Sequence, residues 1–223
     1  MNVHYRDPQE LPDTIPVFPL AGALLLPRAQ MPLNIFEPRY LAMTDDAMKG
    51  ARLIGMIQPD DSKTRAAVPA LYATGCAGRI TQYAESGDGR YLITLTGIAR
   101  FRVREELSVT TPYRQCRVDF AAFKDDLVPR SGEEAVDRER LLKTLAEYLK
   151  ANKMQADWQD INQAPTEALV NGLAMMSPYG AREKQALLEA PDLKSRAEVL
   201  IALTEMALAK PGSGGGDNDL PMQ

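Results

Sequence analysis

The sequence predicts an α+β protein: a β-rich first half with one helix, followed by an all-helical second half. Through about residue 120, short apolar runs alternate at a period of two and are broken by Gly and Pro; after Pro129 the apolar residues recur at helical spacing. Many short strands with glycine turns favour a small barrel or folded sheet for the β half. The resulting division is a flexible arm (1–13), a β-rich subdomain (14–124), a helical subdomain (125–210) and a disordered tail (211–223).

Residues 1–14 are polar, contain Pro8 and Pro12, and read as a loose arm that carries the single histidine, His4. Ile15 to Leu20 reads as a strand that Pro16 and Pro19 would confine to a sheet edge or an irregular position. Leu24-Leu25-Leu26-Pro27 is an apolar run, either an exposed patch or a layer buried beneath the helical half. Gln30 to Phe36 is extended again, interrupted by Pro32. Pro38 opens a helix to Lys49, because its missing N–H is harmless at the first helical position. Tyr40, Leu41, Thr44, Ala47 and Met48 share one face of that helix. Glu37 stands at the helix's positive end, and Gly50 offers a left-handed stop.

Leu53 to Gln58 is a compact apolar strand, and Asp60 to Ala67 a polar loop. Tyr72 to Tyr83 is a long strand in which Gly75 and Gly78 mark bends or bulges. Ser86-Gly87-Asp88-Gly89 is a hairpin turn leading to a strand from Arg90 to Thr96. Gly97 permits a turn into a further strand from Ala99 to Val109, and Tyr113 to Phe120 closes the sheet. In the second half, Glu133 to Lys150 carries Val136, Leu141, Leu142, Leu145 and Leu149 on a broad stripe. Trp158 and Ile161 form a short amphipathic piece. Pro165 opens a helix to Met176, Ala181 to Glu189 is the next, and Asp192 caps the last. Pro211 to Gly216 has linker composition.

Charge and residue inventory exclude several chemistries. The chain has 26 Lys and Arg against 30 Asp and Glu, a balance unlike that of a general nucleic-acid binder. Cys76 and Cys116 lie in separate apolar segments without a C-x-x-C pair, which fits two packed thiols better than a disulfide. No phosphate-loop string occurs. With one histidine and two separated cysteines, neither a zinc site nor a Ser-His-Asp triad is assembled from these residues. No catalytic residue, metal site or cofactor is expected. No apolar run approaches the ~20 residues of a membrane span, the N-terminus lacks a signal peptide's apolar core, and a cytoplasmic location is expected.

Two patterns admit a binding reading. Arg100, Arg102 and Arg104 alternate with Phe101 and Val103, so one strand face carries three cations. That face either tracks a phosphate backbone or is a solvated surface neutralised by Glu105 and Glu106. Met154, Met175, Met176 and Met206, read as helical, either fill the core or line a groove suited to varied peptides.

Several segments, in order, resemble the N-terminal domain of Lon proteases. They are Phe18-Pro19-Leu20, Leu25-Leu26-Pro27, Met31-Pro32-Leu33, Ile35 to Tyr40, Tyr72 to Ile80, Asp88-Gly89-Arg90, Gly97 to Arg102, Pro112-Tyr113 and Glu183 to Glu189. The resemblance spans about residues 14–210 and is closest to bacterial stand-alone proteins of this domain. It implies a PUA-like β pseudo-barrel followed by a helical bundle, and a substrate-recognition part without the ATPase and Ser–Lys protease domains. On that basis the expected function is a non-catalytic module for protein quality control. Its partner would be an unfolded or exposed hydrophobic polypeptide, or a partner protein, held in a groove between the two halves. The candidate contacts are Met31, Leu33, Phe36, Glu37, Arg39 and Tyr40. The same residues are open to a second reading, in which Phe36 and Tyr40 pack the joint between the halves and Glu37 and Arg39 fix its polar geometry. The alternative function is PUA-like RNA binding through Arg100, Arg102 and Arg104.

Overall fold

The computed structural model describes residues 5–60 and 69–209. His4, most of the polar loop after Asp60 and the linker-like tail lie outside the described residues. The strands are β1 (Thr14–Pro19), β2 (Gln30–Ile35), β3 (Leu53–Ile57), β4 (Pro59–Asp60), β5 (Ala70–Leu71), β6 (Thr74–Glu85), β7 (Tyr91–Glu106) and β8 (Gln115–Asp119). The helices are α1 (Pro38–Lys49), α2 (Arg138–Ala151), α3 (Trp158–Gln163), α4 (Thr166–Met176), α5 (Ala181–Glu189) and α6 (Leu193–Ala209).

Six strands form one mixed sheet in the order β2-β7-β6-β3-β1-β8, and β8 also pairs with the far end of β7. The pairings therefore run in a closed ring from β7 through β6, β3, β1 and β8. The β6–β7 hairpin projects beyond the ring and carries β2 along its edge, where Pro32 meets no second neighbour. Among the described residues the only parallel pair, β1 with β3, needs a crossover, which β2 and α1 supply.

Alternation along the ring strands separates two cores. Ile15, Val17, Leu53, Ile57, Ala77, Phe101 and Cys116 fill the interior. Phe18, Ile54, Met56 and Cys76 point outward into a larger cluster with Leu24–Leu26, α1, and Val170, Leu187, Leu200 and Ile201 of the helical half. Every residue of β3 is buried because both its faces are covered. Phe101 fits because Gly55 and Gly75 leave room: a Cβ on Gly75 would stand 2.5 Å from the Phe101 ring. Both cysteines are buried and unpaired, one in each core.

The structure corrects four local expectations. Residues 5–13 do not form a loose arm: Pro8–Glu10 is a 3-10 turn capped by Asp7, and Leu11 is buried in the interior cluster. β1 is not an edge, since it lies between β3 and β8. Its amides alternate, Val17 donating to Arg114 on the β8 side and Leu20 to Ile57 on the β3 side. Pro16 faces β3 before that ladder begins at Val17, and Pro19 faces β8 after that ladder has ended at Pro16, so neither lacks a bond. Gly97 makes no turn. β7 runs unbroken from Tyr91 to Glu106, with a bulge where Ala77–Gly78 faces Ala99–Gly97. Gly97 instead lies against the Leu26 carbonyl, where a side chain would collide. After α1, Gly50 has φ −111°, and Arg52 takes the left-handed conformation.

The helices follow the spacing, except that α2 begins at Arg138 and not at Glu133: Glu133–Ala135 is a separate 3-10 turn and Val136 is extended. In α1, Tyr40, Met43, Thr44 and Ala47 are buried at i, i+3, i+4 and i+7. Asp137 caps α2, Asp157 caps α3 and Asp192 accepts from the Ser195 N–H at 2.7 Å. Among the described residues no helix is long and apolar enough to cross a membrane.

Candidate functional site

The stretch from Met31 to Tyr40 divides into packed and exposed residues. Met31 and Leu33, half-buried, pack on the main core. Tyr40 is buried and its ring lies 4.1 Å from that of Phe18. Burial raises its phenol pKa, against the lowering influence of the Arg39 guanidinium. Glu37 makes no capping bond but pairs with Arg39 at 2.7 Å, and Arg39 stacks over Tyr40. Phe36 is the exception. It is 60% exposed, with Arg90 above its ring, so it does not pack the joint between the halves.

The three alternating arginines have three different surroundings. Arg102 is exposed near Phe123 and Arg104 pairs with Asp119. Arg100 is buried, because the outward face of β7 is covered at that point by the 3-10 segment Ala121–Leu127 and the end of α5. Its guanidinium chelates Asp126 through two 2.8 Å bonds, stacks on Phe123 and donates to the carbonyls of Leu188 and Ala190. The expected single cationic face is therefore corrected, and its nucleic-acid reading loses Arg100. Glu105 and Glu106 pair with Arg117 and Arg114, not with these arginines.

Arg100 belongs to a polar joint between the halves. Arg28 holds Glu167 of α4 and the Asp126 carbonyl, and Asn171 donates to the Pro27 carbonyl at 3.2 Å. Gln58 donates to the Ala181 carbonyl and Gln185 to the Thr74 carbonyl. Arg196, buried in α6, donates to Asn171 and Leu187; burial lowers its pKa to about 10, which leaves it a cation at neutral pH.

An open cavity of about 540 Å³ lies within the helical half. Leu141, Leu145 and Leu149 of α2 form one wall, Leu169 and Leu173 of α4 another, and Leu200 and Ile201 of α6 the floor; Met154 and Ile161 border it. None of its lining residues is charged. Tyr179 and Thr204 bond each other at 2.7 Å, and Ser177 donates to the Leu173 carbonyl, so these hydroxyls are already engaged. Such a site rewards apolar groups and offers little to polar ones. A second cavity of about 450 Å³ lies between the halves, against Pro27, Arg28, Pro129, Pro165 and α4.

The methionine pattern pointed to part of this. Met154 and Met176 border the larger cavity and are 54% and 77% exposed. Met154 stands in the loop after α2, not in a helix; Met175 packs on the core, and Met206 is exposed away from the lining. The sequence pattern does not assign the leucine walls to a site. Their signal was the α2 stripe, broader than one contact face requires. Among the described residues no group of three or more His, Cys, Asp or Glu is placed to hold a metal ion.

A family model described as the ATP-dependent protease La (LON) substrate-binding domain matches residues 14–205. The chain is 29% identical over 203 residues to Lon protease 2 of Myxococcus xanthus, and 27% identical over 203 residues to Lon protease 2 of Sorangium cellulosum. These matches cover 87% and 86% of this chain but 24% of each relative, so the chain spans about a quarter of the length of the curated relatives it matches. The crystal structure of a Lon N-terminal domain protein from Xanthomonas campestris aligns with a TM-score of 0.60 at 24% identity, covering 85% of this chain and 97% of that one. The N-terminal domain of a Mycobacterium avium complex Lon protease aligns at 0.63 and 19% identity, covering 86% and 98%. These two alignments establish the shared fold, and with the family match over residues 14–205 the chain belongs to the LON substrate-binding domain family.

Proposed function

We propose that this chain is a non-catalytic recognition module that binds apolar segments of unfolded polypeptide in the helical cavity, in the service of protein quality control. The observation that carries the reading is the cavity itself: largely aliphatic walls, no lining charge, and the Ser177, Tyr179 and Thr204 hydroxyls engaged internally. Membership of a substrate-binding family makes polypeptide the fitting occupant. The closed sheet is, on this reading, the PUA-like pseudo-barrel, and the helices after residue 125 a bundle mounted on it. A cytoplasmic setting belongs to the same proposal and is supported by two buried, unpaired cysteines.

The stretch from Met31 to Tyr40 then serves chiefly as joint, with Phe36 as its one free apolar group. Binding of a labelled, permanently unfolded polypeptide tests the assignment. Wild type and Phe36→Ser are expected to bind alike, whereas Leu169→Asp, which puts a charge in the apolar wall, weakens binding at least about tenfold. The reverse pattern would move the site to the β2–α1 stretch.

A further inference from the structure

The two cavities meet on α4. Ala168, Gly172 and Met176, spaced i, i+4 and i+8 along one side of the helix, line both. Gly172 has no structural reason to be glycine. It is not among the left-handed glycines, and a Cβ built on it would meet only the Met176 Cε, 4.0 Å away. A glycine inside a helix is unfavourable relative to alanine. Its effect here is to keep the top of α4 low where the cavities join, beneath the exposed and flexible Met176 side chain.

The arms differ in chemistry. The helical arm is mostly apolar and carries no charge. The far arm presents Pro27, Pro129 and Pro165 beside Arg28, Gln30 and Arg130. Arg28 is already paired with Glu167 and Arg130 with Glu133, so the far arm is close to neutral and suits an uncharged polar chain better than an anionic head group.

We infer that the two cavities are one cleft, crossed at Ala168 and Gly172, and that it holds an extended polypeptide segment. Apolar residues fill the helical arm, and the polar residues next to them run over α4 into the far arm. This rests on the function proposed above and adds to it the length and order of the recognised segment.

Two labelled peptides test it by fluorescence anisotropy. One has about four apolar residues (~14 Å extended), and the other adds uncharged polar residues to reach about ten (~34 Å), made in both chain directions. In wild type the longer peptide, in one direction, is expected to bind at least about tenfold tighter, because the second arm adds contacts to a segment already held. Ala29→Phe, which fills the far arm alone, and Gly172→Leu, which raises the crossing, should each bring the long-to-short ratio to about one. Leucine is a better helix former than glycine, so Gly172→Leu keeps α4 intact. Equal binding of both peptides to wild type, or a ratio that survives both variants, would overturn the joined cleft while leaving the helical arm as a site. Failure of both peptides to bind would overturn the proposed function itself.

Discussion

Arg100 and Arg104 lie four residues apart on one strand, but their roles differ because their burial differs. The Arg100 side chain is 3% exposed against Asp126 at 9%, and Arg104 is 61% exposed against Asp119. Removing Arg100 strands a buried carboxylate, so Arg100→Ala should lower unfolding free energy by about 3–5 kcal/mol in urea titration. Arg104→Ala should change it by less than about 1 kcal/mol, since an exposed pair is screened by water. Equal effects would show that burial of the joint does not set the scale. A second residue-scale test uses pH. The Tyr113 hydroxyl donates to Asp46 at 2.9 Å, and this bond, the largest influence, holds the Asp46 carboxyl below its ordinary range. Burial, then the same carboxylate, pushes the Tyr113 phenol up to about 12. A lowered carboxyl contributes stability above its unfolded pKa and loses it as pH falls through the lowered value. The stability gap between wild type and Tyr113→Phe should thus persist at neutral pH and narrow as pH drops below about 4. A gap unchanged at acid pH would contradict the bond's role.

At the scale of elements, β7 shows why expected and observed structure can differ. Its composition, strand then Gly97 then strand, reads as two strands with a turn. The chain runs straight because Gly97 is used for close approach to the Leu26 carbonyl, a tertiary contact invisible to local pattern. The same holds for β1, whose prolines suit a central strand only because each of its two ladders stops short of one of them. Helices α1, α4 and α5 were readable to within a residue or so, since their faces, proline starts and glycine breaks are local signals. Phe101 gives the element-scale prediction. A Cβ on Gly75 meets both its ring and the Met56 carbonyl, whereas one on Gly87 in the hairpin meets nothing within 4 Å. Gly75→Ala should destabilise by about 1–3 kcal/mol through overpacking, and Gly87→Ala should stay within about 0.5 kcal/mol of wild type as an exposed substitution, both read by thermal denaturation.

In the whole molecule, the two halves share one outer core and a polar joint, and the apolar opening lies beyond that joint among the helices. The α+β order was legible because the period of the apolar residues changes near Pro129. The site was only partly so. Its walls come from α2, α4 and α6, which no sequence spacing brings together; the broad α2 stripe and the methionines Met154 and Met176 are the available traces. Phe36, Glu37 and Arg39 stood out in the sequence because they mark a chain junction, and function does not follow from that alone. Hydrogen–deuterium exchange with and without a saturating unfolded polypeptide tests the central claim most directly. The account predicts new protection over residues 141–149, 168–179 and 200–204 and none over 31–40. Protection confined to 31–40, or absent from the helices at saturation, would contradict it.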